Sequence, residues 1–496
     1  MSREPSGRTL GAEGDGAFAT LQPRAAGGIG WLFLALACVA VLLLCGLSAD
    51  PPVEHRELRI FRVISGMQET GDYWVPRMHG RPHLTKPPLY YWAGAACSAL
   101  SGLPQRIAFR LPAVLCALLV LLLTYWLCHS LQMAPVALPA VLILTCFHEF
   151  YLNGRAANYD MMLAAFVLLT VASFHRYLSG DRAIWLVAAS GGMLLALLAK
   201  ATPALLFIYA PVVAMAIGMG RLTVLRRPAV ILGLLVVPLG LCLAWYALLL
   251  WKVPEASAVF HREGLLPFGV EAKGNTTEHF RSPLFYAYKI FKIAAPAFLL
   301  FPLLLRRLIG ARWYRDFPAS LRWVALSLLI ILVVFSAIPQ KQENYLMPAL
   351  PFLAMLMGDS IVHRGSGRTE RAALQLACGA MALLFVLAAP ASLFFFGAVL
   401  QKRAAAVTAA LICITLAVRL TLTLRSRRAV AGLVTATCGW WFCVGLYFSS
   451  FEPLDNQFRN GEIYQSAGYS KEHWDRLFEQ YPALRKVFST SERFER

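Results

Sequence analysis

The stretch IAFRLPAVLCALLVLLLTYWLCHS, from Ile107 to Ser130, decides the fold. It is apolar almost throughout and lacks the strict alternation of a half-buried strand. About 20 such residues, wound as a helix, cross the ~30 Å hydrocarbon layer of a membrane. A transmembrane barrel strand is shorter and alternates. An open sheet would leave backbone groups unpaired in lipid. Similar runs start near Trp31, Ala134, Met161, Ile184, Pro203, Ala229, Ala287, Leu321, Tyr345, Ala372, Ala404 and Val430. The sequence therefore predicts an all-α polytopic membrane protein of about thirteen transmembrane helices.

Composition agrees. The chain has 496 residues, 58% hydrophobic and 15% charged, with a mean hydropathy of +0.59; soluble domains are nearer one quarter charged. The net charge of +19 would suggest nucleic acid in a soluble protein. Here the arginines sit at alternate joints between apolar runs: Arg176 and Arg182; Arg221, Arg226 and Arg227; Arg306, Arg307, Arg312 and Arg315; Arg364, Arg368 and Arg371; Arg425, Arg427 and Arg428. With a cytoplasmic amino terminus these joints all face inward, as the positive-inside rule requires. They serve topology and contact with lipid headgroups, and no nucleic acid is expected as a partner. The eleven cysteines lie almost entirely within apolar runs with no metal-ligand spacing, so they read as small core residues. Residues 1–28 read as a disordered cytoplasmic leader, 29–449 as the membrane domain, and 450–496 as a short periplasmic tail. The run at Trp31 reads as an uncleaved anchor rather than a secretory signal.

The opposite joints are chemically mixed. They carry Glu57, Arg59, Lys86, Arg155, Asp160, Lys200, Arg262, His279, Arg281, Lys341 and Tyr345. Ionisable groups at a membrane boundary are costly unless paired or solvated, so a set of them on one side points to a polar cavity open to the exterior. The first of these joints, 50–106, is too long for a plain connector. The apolar spacing within Glu57–Thr70 predicts an amphipathic interfacial helix stopped by Gly71. Tyr73–His83 should then be extended, and Leu89–Leu103 should form a second interfacial helix. Asp160, at the start of an apolar helix, reads as an N-cap that can still accept a proton. Lys200 reads equally well as a lysine snorkelling to the interface. Pro348 and Pro351 should relax the first turns of the helix entered at Tyr345.

In order along the chain, these residues form a set: Glu57-x-Arg59; Gly71-Asp72 with Pro76; Lys86-Pro87-Pro88; Arg155 with Asp160; Lys200; Glu278-His279-x-Arg281 with Pro283; and Lys341, Tyr345, Pro348 and Pro351. The set resembles the GT-C glycosyltransferases of the ArnT and protein O-mannosyltransferase type, from about Asp50 to Pro351. The resemblance implies transfer of a sugar from a polyprenyl-phosphate donor, undecaprenyl phosphate in bacteria, at the outer leaflet of the inner membrane. A single inverting displacement is implied. Glu57 and Asp160 match the family's acidic pair and would serve catalysis. Lys86 matches the phosphate-binding lysine and Tyr345 a phosphate-side tyrosine, with Arg59, Arg262 and Arg281 as further donor-phosphate contacts. Arg155, Lys200, His279 and Lys341 would line the cavity. The acceptor would be lipid A, another envelope glycan or a protein hydroxyl. Two departures from the pattern matter: Arg56 stands where many relatives have an acid, and Thr85 stands where some have an acidic residue that helps bind metal. No metal or other cofactor is therefore expected. The other readings of the same residues are a flippase or transporter of polyprenyl lipid, which would more often show inverted repeats and broken midplane helices, and a non-catalytic lipid-binding relative.

Overall fold

A computed structural model of the chain describes residues 25–44, 55–78, 80–84, 86–262, 281–309, 318–339, 341–363 and 403–425, with Leu47 and single positions between 372 and 441. The leader before Ala25 and the tail from residue 450 lie outside the described residues, as does His279. The elements are α1 (Ala25–Leu44), α2 (His55–Thr70), a hairpin of β1 (Arg77–Met78) and β2 (Arg81–Pro82), α3 (Leu89–Ser101), α4 (Gln105–Ala108), α5 (Leu111–Ser130), α6 (Ala134–Cys146), α7 (His148–Arg155), α8 (Tyr159–Gly180) and α9 (Ala183–Gly218). Then come α10 (Pro228–Ile231), a π-turn at Leu232–Val236, α11 (Val237–Lys252), α12 (Ala256–Arg262), α13 (Phe285–Ile293), α14 (Phe301–Ile309), α15 (Ala319–Ala337), a 3₁₀ turn at Glu343–Ala349, α16 (Leu350–Val362) and α17 (Arg403–Arg425).

Among the described residues, six helices are long and apolar enough to cross a membrane, or eight if each bent pair counts as one span. The crossing from Ala134 ends at the outer joint that carries Arg155 and Asp160, and there the chain bends by 72° between α6 and α7; the run from Ala287, read as one crossing, is broken by a bend of 108° between α13 and the helix that follows it. The first bend falls at Phe147, whose backbone is extended (φ −70°, ψ 123°). The second falls at Pro296, which has no N–H to give to a helix. These breaks keep polar residues at the bundle end, where the site lies.

α9 hides a further reversal. A straight helix of 36 residues would be about 54 Å long. Yet Arg221, just past its end, donates to the Leu178 carbonyl and lies 4.0 Å from Asp181, just before its start. The chain therefore folds back within α9. It does so at Lys200, whose backbone is non-helical (φ −160°, ψ 86°). Pro203 explains the place, because its ring clashes with the carbonyl four residues earlier and removes a helical hydrogen bond. The short joint expected at Lys200 is thus present, and it lies at the opposite end of the bundle from Arg221.

α8 and the span Glu343–Val362 form the interior of the bundle: 83% and 89% of their apolar windows are buried, against 28% for Pro228–Lys252. The first half of α9 runs back along α8 at close range. A Cβ on Gly192 would meet Thr170 Oγ1 at 2.7 Å and the Phe166 carbonyl at 3.2 Å, so only glycine allows this approach. Outside the bundle, α2 ends at Gly71 (φ +70°), whose N–H is given to Met67 O at 2.9 Å. Both interfacial helices expected from the first long joint are present as helices. The extended stretch between them is the small hairpin, pairing Arg77 with Pro82 and Met78 with Arg81. Its flanks, Val75 and Leu84, form a second small core with Trp245, Leu249 and Val253 at the end of α11.

Candidate active site

Asp160 is the hub. Asn158, not Asp160, caps α8: its side chain accepts from the Asp160 N–H at 2.5 Å. That corrects the N-cap expectation and leaves the carboxylate for other partners. Lys200 Nζ donates to Oδ1 at 2.6 Å, and Asn344 Nδ2 donates to Oδ2 at 2.5 Å. The same ammonium lies 4.4 Å from the centroid of the Tyr345 ring. Lys200 therefore does not snorkel away. The break in α9 turns it onto the first turn of α8, where the helix dipole already favours a negative charge. Three elements distant in sequence thus converge on one carboxylate.

Glu57 sits close by in a different setting. Arg110 grips it with two bonds, Nε to Oε1 at 2.7 Å and Nη2 to Oε2 at 2.8 Å. The Ala157 N–H also donates to Oε1 at 2.8 Å, and Arg110 Nη1 donates to the Leu47 carbonyl at 2.9 Å. Both side chains are 2% exposed. This pair ties the end of α1, the start of α2 and the start of α5 to the joint that leads into α8.

The cationic residues gather on the α2–α3 side. His83 is buried, and its imidazole is pushed down to about 4 by burial first, then by the charges of Arg59 and Lys86. A histidine so placed is neutral at pH 7, beside two fixed positive charges. Lys86 is half-buried, in the stretch that opens α3. From α3, Tyr91 accepts a hydrogen bond from the Tyr159 hydroxyl at 2.7 Å, which joins this side to the first turn of α8. Arg155 is buried, with Nη1 donating to the Tyr151 hydroxyl at 3.3 Å. The backbone of Arg262 ends α12.

Asn344 and Tyr345 are carried by the 3₁₀ turn, and its neighbours hold that turn in place. Tyr286 donates to Gln342 O at 3.0 Å, Lys341 Nζ donates to Arg281 O at 3.1 Å and to Ile338 O, and Glu343 takes Lys289 and Lys292 at 2.6 Å each. Glu343→Gln should release both lysines of α13. Such part-exposed pairs are worth about 0–1 kcal/mol, so Tm should barely move. If Asn344 and Tyr345 belong to the reacting site, their misplacement should lower kcat by roughly tenfold with donor KM unchanged. An unaltered kcat would separate the turn from the chemistry.

The sequence reading did not single out Arg110, Asn344, Asn158 or Glu343. Arg110 carried a signal, being an arginine inside the apolar run from Ile107, where a charge needs a partner. The asparagines carried none, because their role depends on distant elements meeting. Glu149 was also missed; it is buried, and its carboxylate accepts from Asn153 at 2.8 Å. Asn158 in turn donates to Asn153. Among the described residues, no group of three or more histidine, cysteine, aspartate or glutamate side chains converges as a metal site would need.

Residues 85–246 match the family model described as dolichyl-phosphate-mannose-protein mannosyltransferase. Among curated proteins, the chain is 27% identical over 353 residues to an undecaprenyl phosphate-alpha-4-amino-4-deoxy-L-arabinose arabinosyl transferase of Pseudomonas savastanoi, covering 66% of this chain and 62% of that protein. It is also 27% identical over 343 residues to the protein of that name in Pseudomonas aeruginosa, covering 66% and 60%. The chain thus spans about three fifths of the length of the curated relatives it matches. Among solved structures, ArnT from Cupriavidus metallidurans bound to undecaprenyl phosphate superimposes with a TM-score of 0.67 at 21% identity, covering 88% of this chain and 79% of that one. The apo form of that protein gives 0.66. The resemblance carried by the ordered motifs is met in both comparisons: the chain is similar in sequence to these arabinosyl transferases and shares the fold of the Cupriavidus ArnT.

Proposed function

We propose that the protein is a membrane glycosyltransferase that moves a sugar from a polyprenyl-phosphate donor, undecaprenyl phosphate in a bacterial membrane, to a hydroxyl of an envelope acceptor. The observation that carries this reading is the Asp160 carboxylate, held between Lys200 and Asn344 on the same bundle end as Arg59, Lys86 and His83. In one displacement, the acceptor oxygen attacks the anomeric carbon from the face opposite the phosphate. The bond from that carbon to the phosphate oxygen breaks, and the polyprenyl phosphate leaves with the electron pair. The hydroxyl proton passes to Asp160. Lys86 and Arg59, with Arg262 and Arg281 as further cations, balance the charge that grows on the leaving phosphate. Glu57 is a positioning residue in this scheme, because Arg110 grips both its oxygens and one of them also takes the Ala157 N–H in the joint that leads to Asp160.

The basic joint residues Arg221 and Arg227 meet Asp181 at the opposite end of α8 from Asp160. That supports a cytoplasmic amino terminus and a periplasmic site in a multi-pass inner-membrane protein. Lipid A, another glycan or a protein hydroxyl fits as acceptor. The test is turnover by purified protein offered a panel of undecaprenyl-phosphate sugars and extracted envelope material. Release of undecaprenyl phosphate by the wild type, and its loss in Lys86→Ala, is the expected result. Tight donor binding without release across the whole panel would instead favour a lipid-binding or flippase role.

A further inference from the structure

A second polar arrangement lies at the basic end of the bundle, away from Asp160. Trp126 in the last turns of α5, Arg176 in the last turns of α8 and Trp185 at the start of α9 meet there. The Arg176 guanidinium carbon is 5.9 Å from the Trp126 ring centroid and 5.6 Å from that of Trp185. The indoles are 5.5 Å apart and tilted by 38°, too close to admit a guanidinium between them, so the arginine lies across both. It remains exposed. Side chains from two other helices thus hold a group that would otherwise move freely, and a planar fork fixed in this way loses less entropy when it binds.

Two neighbouring arginines, Arg221 and Arg227, are already engaged. Arg227 donates to Asp181 at 3.0 Å, and Arg221 donates to the Leu178 carbonyl. Arg176 meets no carboxylate among the described residues. Exposed apolar side chains flank it: Leu122, one turn from Trp126, and Ile184 and Val187 beside Trp185. A held, unneutralised cation, amphipathic indoles and an apolar skirt together match a lipid whose headgroup is anionic and whose chains run down the helices.

We propose that Arg176, Trp126 and Trp185 form a binding site for the phosphate headgroup of an anionic phospholipid in the leaflet at the basic end of the protein. The guanidinium takes two phosphate oxygens in a bidentate pair, the indoles sit at headgroup depth, and the acyl chains cover Leu122 and Val187. The site is separate from the proposed donor site and does not depend on catalysis.

The test uses the purified full chain in neutral detergent, titrated separately with phosphatidylglycerol, phosphatidylcholine and inorganic phosphate. Native mass spectrometry counts retained lipid, and thermal unfolding reports stabilisation. Phosphatidylglycerol should be retained and should raise Tm, while phosphatidylcholine and inorganic phosphate do neither. Arg176→Gln should weaken phosphatidylglycerol binding by roughly tenfold. Arg226→Gln, at an exposed arginine of the same rim, should change it by less than about twofold. Equal losses in the two variants would mean diffuse attraction and would overturn the site. So would equal retention of phosphatidylcholine, or the same stabilisation by inorganic phosphate. If Arg176→Gln does not fold, Arg176→Lys keeps the charge but not the planar fork. It should lose most of the preference, and wild-type binding by that variant would also overturn the proposal.

Discussion

Asp160→Asn is expected to lower kcat by about 10²–10⁴-fold, the usual contribution of a positioned general base, with donor KM little changed. The amide has almost the shape of the carboxylate. The Asn158 cap depends on the Asp160 backbone N–H, so the start of α8 survives the substitution. What is lost is the basic oxygen and the counter-charge of Lys200, whose side chain is only 11% exposed. An ammonium left there keeps the Tyr345 ring at 4.4 Å but no anion among the described residues, so the variant should also lose stability. A second substitution separates the two effects. In Asp160→Asn/Lys200→Met the uncompensated charge is gone, so Tm should recover most of the loss while turnover stays as low as in Asp160→Asn. Release of polyprenyl phosphate and thermal unfolding, read on the same preparations, give both quantities. A stable Asp160→Asn protein that turns over at the wild-type rate would remove Asp160 from the proton transfer and leave it a structural partner of Lys200.

The parts of this molecule written in local sequence were legible and the rest were not. The apolar runs, the two helices of the first long joint, the stop at Gly71 and the relaxed entry at Pro348 and Pro351 each follow from residues within a turn or two of one another. So does the joint at Lys200, since Pro203 disrupts the helix just there. The bend at Pro296 was not foreseen, because a run of apolar residues has the same composition straight or broken. The site shows the same limit. An ordered motif set brought Asp160, Lys200 and Tyr345 to notice one at a time, but their meeting depends on the fold-back of α9 and on the turn before α16. Asn344 lies beside Tyr345 in sequence and completes the grip on Asp160, yet an asparagine next to a tyrosine carries no signal of its own. Glu57 shows the same limit from the other side. Its position in the motif suggests a catalytic acid, and only the fold reveals its bidentate grip on Arg110, an arginine whose place inside an apolar run called for a partner without naming it.

That pairing sets the second large expectation. Glu57→Ala should cost about 3–5 kcal/mol, because it strands the Arg110 charge in a buried place, and a protein of ordinary marginal stability would largely fail to fold. Activity lost in that variant says nothing about chemistry. The informative variant is Glu57→Gln/Arg110→Gln. It removes both charges and keeps an oxygen for the Ala157 N–H and a donor for the Leu47 carbonyl, two bonds that tie the pair to its surroundings. Neutral replacement of a buried ion pair is often tolerated when its hydrogen bonds are kept, so the double variant should recover more than half of the stability lost in Glu57→Ala. If Glu57 only positions the joint before α8, Asp160 stays between Lys200 and Asn344, and turnover should remain within about tenfold of wild type. A double variant that is stable and inactive would return Glu57 to the role of base. The pH–rate profile would support that result: an acid limb present in the wild type would be missing from any residual activity of the double variant but kept in Glu343→Gln.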